Sequence, residues 1–233
     1  MRTVAATAST NQDVIALAAA GAGEGLWLRA RTQTAGRGRQ GRDWVSPPGN
    51  LYASTIVRLR PRDPAAPTLA LVAAVALDEI VGAYADPARL ALKWPNDLML
   101  DGAKLSGILL ERTGDAVVIG IGVNLAHHPL LPDRVVTSLA AAGFGAPDPA
   151  ELLIGLAEAF ARWLAVWRQD GIAAVRARWL AQAHPRGTAL SVRAPEGAPV
   201  DGLFDGLDES GALRLKLADG TVRIVHAGDV FMI

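Results

Sequence analysis

Gly36-Arg37-Gly38-Arg39-Gln40-Gly41-Arg42 places three guanidiniums on a glycine-rich stretch with no acid among them. Glycine reaches backbone conformations with φ > 0 and lets main-chain N–H groups approach a ligand, while each guanidinium is a planar fork of donors suited to phosphate or carboxylate. A well-formed charge-assisted contact of this kind contributes roughly 1.5 to 3 kcal/mol. The stretch is an anion-binding candidate, and taken alone it reads equally well as a solvated basic loop. Its spelling is also G-x-G-x-x-G, the dinucleotide-binding turn. Such a turn leads from a strand into a helix, whereas Ser46-Pro47-Pro48-Gly49 lies just downstream and cannot continue one.

Two further segments carry candidate chemistry. Lys93-Trp94-Pro95-Asn96-Asp97 is followed, eleven residues after Lys93, by Lys104-Leu105-Ser106-Gly107-Ile108-Leu109-Leu110-Glu111. Separately, a Lys at the start of an apolar run is a strand end reaching water, and Asn-Asp after Pro is a turn. Taken with the arginine stretch they form a coherent set. The guanidiniums and Lys104 can neutralise phosphate and carboxylate, Asp97 can hold a Mg²⁺ that bridges phosphates, and Trp44 can pack against an aromatic base. Val118-Ile119-Gly120-Ile121-Gly122-Val123-Asn124-Leu125 reads as a strand whose two glycines mark either a bulge or a close approach of ligand to backbone. His127 and His128 fall in a Pro-bounded loop without metal-ligand spacing and read as surface histidines. The sequence has neither the phosphate-loop pattern G-x-x-x-x-G-K-[ST] nor the nucleophile elbow G-x-S-x-G.

The elements that must position these residues follow from periodicity and turn chemistry. Ser9-Thr10-Asn11 read as caps ahead of a helix over 14–20 that stops at Gly21. Strands over 26–32 and 51–57 flank the arginine stretch, making it a loop between strands. A buried helix is expected over 68–84, then short apolar segments at 90–93, 104–111 and 116–123. Asp148-Pro149-Ala150-Glu151 opens a helix with Leu153, Leu156, Phe160, Trp163, Leu164 and Trp167 on one apolar face, and a shorter helix follows over 172–182. From Gly187 the texture changes to short β-type runs at 189–193, 200–207, 212–217 and 221–225. Asp219-Gly220 is a hairpin signal among them, so a small β-barrel is expected.

Composition sets outer bounds. The 233 residues are 51% hydrophobic and 20% charged with zero net charge, enough for a proper core and without a global field that draws the chain to nucleic acid or an anionic membrane. Absence of cysteine excludes disulfides, thiolate nucleophiles and Cys-ligated metals. The longest apolar run, 69–77, is half a membrane span, and no basic-then-apolar leader is present; a soluble, cytoplasmic protein is expected. With eight residues ahead of Ser9, no DNA-binding helix-turn-helix is expected there.

The string G-R-G-R-Q-G-R-D-W-V-S-P-P-G-N-L-Y-A-S from Gly36, with K-W-P-N-D-L from Lys93, K-L-S-G-I-L-L-E from Lys104 and G-I-G-V-N from Gly120, closely resembles biotin protein ligases. The motifs run in family order through 9–125. The resemblance implies an α+β fold: a mixed β-sheet with flanking helices, of the class II synthetase and biotin ligase type, over 1–184, and a small SH3-like β-barrel over 185–233. It implies that biotin is activated with MgATP to biotinyl-5′-AMP and pyrophosphate. The biotinyl group then passes to one lysine of the biotin carboxyl carrier domain of acyl-CoA carboxylases. Carried over by motif, Ser9, Thr10, Asn11, Gln33, Gly36, Arg37, Arg39, Lys104, Gly107 and Gly120 are the expected biotin-binding residues. Arg37, Arg39, Arg42, Trp44 and Asn124 are those for the nucleotide, Lys104, Arg37 and Arg39 are the expected catalytic groups, and Asp97 is the expected Mg²⁺ ligand. Ala8 departs from relatives that carry an acid there. A form without DNA or membrane partners is expected, as monomer or weak homodimer. Lipoate ligase is the near alternative, but it lacks the G-R-G-R-x-G-R-x-W spelling; a nucleic-acid-binding module is the distant one, disfavoured by the zero net charge. The arginine loop is expected to be loose until an anion joins its mutually repelling charges.

Overall fold

The computed structural model describes residues 1–132, 134–193 and 198–233. In chain order the elements are β1 (Arg2–Thr7), α1 (Thr10–Ala19), β2 (Trp27–Gln33), β3 (Leu51–Arg58), α2 (Leu69–Val81), β4 (Leu90–Lys93), β5 (Asp97–Leu100), β6 (Ala103–Thr113) and β7 (Ala116–Val123). The helices α3 (Pro149–Asp170) and α4 (Ile172–Ala181) follow, then β8 (Ala189–Arg193), β9 (Val200–Leu207), β10 (Leu213–Lys216), β11 (Val222–Val225) and β12 (Asp229–Met232).

The first seven strands form one mixed sheet in the order β1-β2-β3-β7-β6-β5-β4. Only β1 and β2 run parallel, joined through α1, as a parallel pair needs a crossover; the other pairs are antiparallel. Because strand side chains alternate between faces, one register fixes both layers. Ile119, Ile121 and Val123 of β7 point into the main core with Ala53 of β3, Ile108 of β6 and the buried faces of α2 and α3. Ala116 and Val118 point the other way, into a smaller cluster with Val14 and Ala18 of α1, Leu28 and Ile56. Further along that second face, cross-strand pairing sets Leu109, Gly120 and Ser54 in one row and Gly107, Gly122 and Tyr52 in the next. The glycines leave a trough there, beside the start of α1.

α3 begins where Asp148 accepts hydrogen bonds from Ala150 N and Glu151 N, with Pro149 at the first helical position. Its stripe lies in the core as expected, and Trp167 is fully buried with its Nε1 donating to Thr68 Oγ1 at 2.7 Å. Burying a side chain of that size stabilises by at least about 3 kcal/mol relative to leaving it exposed. Trp163 departs from the expected stripe: it is only partly buried, and its Nε1 donates to Glu79 at 2.9 Å.

The C-terminal strands form a five-stranded antiparallel sheet in the order β11-β10-β9-β8-β12. β12 is one of its two edge strands, a segment not expected from sequence. The sheet shares the main apolar cluster through Leu190, Phe204 and Leu213, and Trp94 Nε1 donates to Gly211 O at 3.1 Å across the junction. Strands β1 and β5 were also not expected; the Asn96-Asp97 turn opens directly into β5 rather than into a loop. β7 carries no bulge. It pairs without register shift on both sides, so its glycines have another reason.

Candidate active site

One cavity of about 730 Å³ opens on the trough. Its floor is bare because nothing larger fits. A Cβ on Gly120 would lie 2.2 Å from Asn11 Oδ1, and one on Gly122 would lie 2.6 Å from the Trp44 indole. Real Cβ atoms do not approach that closely, so each glycine is the seat of a side chain brought from elsewhere. Gly107 is similar, with Trp44 at 3.1 Å and Lys104 Nζ at 3.2 Å from its built Cβ.

One end of the cavity is a neutral hydrogen-bonding wall at the start of α1. Ser9, Thr10 and Asn11 are buried, and none of the three caps the helix through its side chain: Ser9 stands at the N-cap but makes no side-chain cap bond. Thr10 N and Oγ1 donate to Gln33 Oε1 at 2.8 and 3.1 Å, and Gln33 Nε2 donates to Ser46 Oγ at 3.0 Å. Asn11 Nδ2 donates to Glu111 Oε2 at 2.7 Å, while the Ser54 hydroxyl lies 2.7 Å from Thr10 Oγ1 and 2.6 Å from Asn11 Oδ1. A buried network satisfied in this way fixes its members in place, because an unpaired polar group there would cost about 1 to 3 kcal/mol. Such a wall suits a neutral, polar head group with both donors and acceptors.

The arginine loop crosses the other end. It is folded on itself: Gly38 N donates to Arg42 O at 2.6 Å, Trp44 N donates to Gly36 O at 2.9 Å, and Arg39–Gly41 make a short 3₁₀ turn. Gln40 and Gly41 both lie in the left-handed region, at φ 56° and 72°, where glycine carries no penalty and Gln a small one. The expected joining of two strands, β2 to β3, is what the fold contains. Gly36 does not line the cavity. It is packed behind it, where a Cβ would meet Trp44 O at 2.6 Å and Ser46 Oγ at 2.8 Å.

The three guanidiniums differ. Arg37 is exposed, lines the cavity and makes no hydrogen bond or ion pair among the described residues. Arg39 donates to Asn96 Oδ1 at 3.2 Å and Gly228 O at 3.3 Å; burial pulls it below its ordinary value, opposed by the carboxylates of Asp229 and Asp97. Arg42 donates to Asp229 Oδ1 at 2.9 Å. The carboxylate that pairs with Arg42 and Arg39 is thus supplied by β12 and not by the adjoining, exposed Asp43.

The floor of the charged end comes from the β4–β5 hairpin and β6. Lys104 Nζ donates to Asp97 Oδ1 at 2.6 Å and stands 5.6 Å from the centre of the Trp44 ring, a cation–π contact. Lys93, paired across the hairpin with Asp97, is half-buried. Desolvation holds its ammonium below the usual lysine range, assisted by the positive charge of Lys104 and opposed by Asp97. Asn124 is buried, with Nδ2 donating to Thr137 O at 3.0 Å. Trp44 Nε1 is buried without a hydrogen-bond partner.

Ser9, Thr10, Asn11, Gln33, Arg37, Arg39, Arg42, Trp44, Asp97, Lys104, Gly107, Gly120 and Asn124 therefore converge on one cavity, from segments far apart in sequence. Sequence reasoning gave no site role to Ser54 of β3, Glu111 of β6 or Ser46 of the loop, although all three stand within the strings that carry the resemblance, and it missed Asp229, which lies in the unread β12. As a magnesium ligand, Asp97 offers one carboxylate, with Oδ1 engaged by Lys104 and Oδ2 left for a metal. No group of three or more His, Cys, Asp or Glu side chains that could hold a metal occurs among the described residues. That donor set fits a Mg²⁺ held mainly by phosphate oxygens and water, with a single protein carboxylate.

Residues 7–124 match the biotin/lipoate A/B protein ligase family, and 191–232 match the biotin protein ligase C-terminal domain. The biotin--[acetyl-CoA-carboxylase] ligase of Paracoccus denitrificans is 43% identical over 208 residues, covering 84% of this chain and 86% of the relative. The enzyme of the same name from Mycobacterium tuberculosis is 37% identical over 97% of this chain and 86% of its own length. Among solved structures, the Aquifex aeolicus biotin protein ligase in complex with biotin and ATP shares the fold at TM-score 0.86 and 22% identity, over 99% of this chain and 98% of that one. The Leishmania major biotin protein ligase bound to biotinyl-5-AMP aligns at TM-score 0.70 and 28% identity, over 97% and 98%. With its motifs, its two sheets and its cavity all matched, the chain belongs to the biotin/lipoate A/B protein ligase family, in its biotin protein ligase branch.

Proposed function

We propose that the chain activates biotin with ATP, forming biotinyl-5′-AMP and pyrophosphate, and then biotinylates a lysine of a carboxylase carrier domain. The observation that carries this reading is the polarity of this cavity: a neutral network at one end, cations at the other, and a bare glycine floor between. A ureido head group can exchange hydrogen bonds with Ser9, Thr10, Asn11 and Gln33. The biotin carboxylate then lies toward Lys104, Arg37 and Arg39, where the nucleotide phosphates also converge.

In the first step a carboxylate oxygen attacks the α-phosphorus and the bond to pyrophosphate breaks. Two anions must meet, so Lys104 and the guanidiniums contribute by neutralising both and the charge that builds between them. Magnesium, carried by the phosphates with Asp97 as its protein ligand, would add further charge neutralisation there. The loop with Trp44 excludes water that would hydrolyse the mixed anhydride. In the second step the acceptor amine, having lost a proton, attacks the acyl carbon and AMP leaves. Arg42, Trp44 and Asn124 are assigned to the nucleotide side, and Gly107 and Gly120 to the floor beneath biotin.

We place the boundary between catalytic and C-terminal domains at 184/185, and infer a cytoplasmic enzyme, monomeric or weakly dimeric, whose partner is the carrier domain rather than DNA or membrane. No helix among the described residues is long and apolar enough to cross a membrane. The deciding assay is pyrophosphate release from MgATP with biotin and, in parallel, with lipoate, without any acceptor protein. Release with biotin is expected; release with lipoate alone would move the substrate, and release with neither would remove the activity.

A further inference from the structure

The three arginines of residues 36–42 have no acid among them, the adjoining Asp43 is exposed and its side chain makes no hydrogen bond or ion pair among the described residues, and the fold brings a carboxylate to them from 187 residues away. Asp229 opens the edge strand β12, so its carboxylate projects from the C-terminal sheet toward the cavity, which it lines. Its Oδ1 accepts from Arg42 Nη2 at 2.9 Å and lies 4.0 Å from Arg39 Nη1. The preceding carbonyl, Gly228 O, accepts from Arg39 Nη2 at 3.3 Å. Arg42 is tied at its other side too, with Nε donating to Arg39 O at 3.1 Å, so one guanidinium links the loop's own turn to the second sheet. Gly228 is held in turn by β8: a Cβ there would meet Arg193 O at 2.9 Å.

These contacts divide the arginines by task. Arg42 and Arg39 have donors engaged by Asp229, Gly228, Asn96 and the loop's own Arg39 carbonyl, while Arg37 has none engaged among the described residues and lines the cavity. Without Asp229 the three would keep only Asp97 near Arg39 and the exposed Asp43 as counter-charges, and the loop would lose contacts that place Arg37. We propose that Asp229 is a positioning residue for the arginine loop: it holds Arg42 and Arg39 so that the loop lies over the cavity before nucleotide arrives, making the C-terminal sheet part of nucleotide capture. The proposal rests on the ligase reading for the identity of the nucleotide, but not for the ordering of the loop.

The test uses the full chain with Asp229→Asn, Asp229→Glu, Arg42→Ala and the Arg42→Ala/Asp229→Asn double variant, each checked for an unchanged thermal midpoint. Two readouts are taken: amide exchange of residues 36–42 without substrates, and steady-state pyrophosphate release with MgATP and biotin. Asp229→Asn is expected to speed loop exchange and to raise the KM for MgATP about threefold to fivefold, the range of a partly exposed ion pair, with kcat changed less than about twofold. Asp229→Glu should restore both, and the double variant should lose little beyond the larger single loss, since both substitutions break one contact. Unchanged loop exchange in Asp229→Asn, a lowered KM, or fully additive losses would each overturn the proposal. If the unmodified chain releases no pyrophosphate, the ligase reading fails, and loop exchange still decides the role of Asp229.

Discussion

The two ends of the cavity are built on opposite principles. At the start of α1, Thr10, Asn11, Gln33, Ser54 and Glu111 satisfy one another in a buried network, and the nearest glycine has no room for a methyl group. At the arginine loop the groups are charged and, apart from the exposed Arg37, partly buried, and they are held by long-range partners on the β4–β5 hairpin and β12. The first end is made by packing and is complete before ligand; the second is made by charge and can change partners. A neutral head group gains most from a rigid frame, whereas a transferring phosphate needs cations that follow it as charge develops.

The largest expected effect lies at the charged end. Lys104→Ala should cut pyrophosphate release by about 100-fold or more while the thermal midpoint stays near that of the parent, because the ammonium acts on developing charge rather than on packing. Near-parent turnover would place the electrostatic work elsewhere. Next comes a contrast between two glycines two residues apart. Gly120→Ala drives a methyl group into Asn11 and should destabilise the fold by about 1 to 3 kcal/mol, with weakened biotin binding, read by thermal melting and by titration with biotin. Gly122→Ala drives its methyl group into Trp44, which belongs to the loop, and should raise the KM for MgATP several-fold with a smaller loss of melting temperature. Equal responses from the two variants would dissolve the distinction between a packed end and a charged one.

The charged end was legible in sequence because its chemistry is concentrated: the arginine loop, Lys93 to Asp97 and the start of β6 at Lys104 are contiguous strings whose cations together point to an anion, while the resemblance to biotin protein ligases named the ligand. The neutral end was legible only in Ser9 to Asn11 and Gln33. There the polar residues read as caps of α1, since a hydroxyl before a helix is locally a cap and only the tertiary fold offers it Gln33 and Ser54 instead. The glycines of β7 show the same limit. Period two reveals that they share a face, but the side chains that need their space arrive from α1 and from the loop. Short strands were the other loss: β5 has four residues and follows a turn, and β12 is an edge strand at the chain's end, so neither has enough alternation to stand out.

The smallest expected effect concerns pH, and it separates the charge that works from the charge that is merely near. His184 lies beneath the charged end at the junction of the two sheets, 4.3 Å from the Phe204 ring centre, with both ring nitrogens buried and unpaired. Burial holds its pKa below the ordinary 6.5; the positive charge of Lys93 acts in the same direction, and a contact with the Pro185 backbone only partly opposes them. In the unfolded chain the imidazole takes a proton near pH 6.5, while the folded chain refuses it until lower pH. Stability from this group is therefore complete above about pH 6.5 and is lost progressively as pH falls from there toward the lower folded value. The melting temperature should fall between pH 7.5 and pH 5.5 by more in the parent than in His184→Leu, the difference being on the order of a few degrees. Matching pH slopes would remove His184 as the cause. A matching loss of nucleotide affinity over the same pH interval, beyond that of His184→Leu, would show that the packed junction and the charged end are coupled through Lys93 rather than independent.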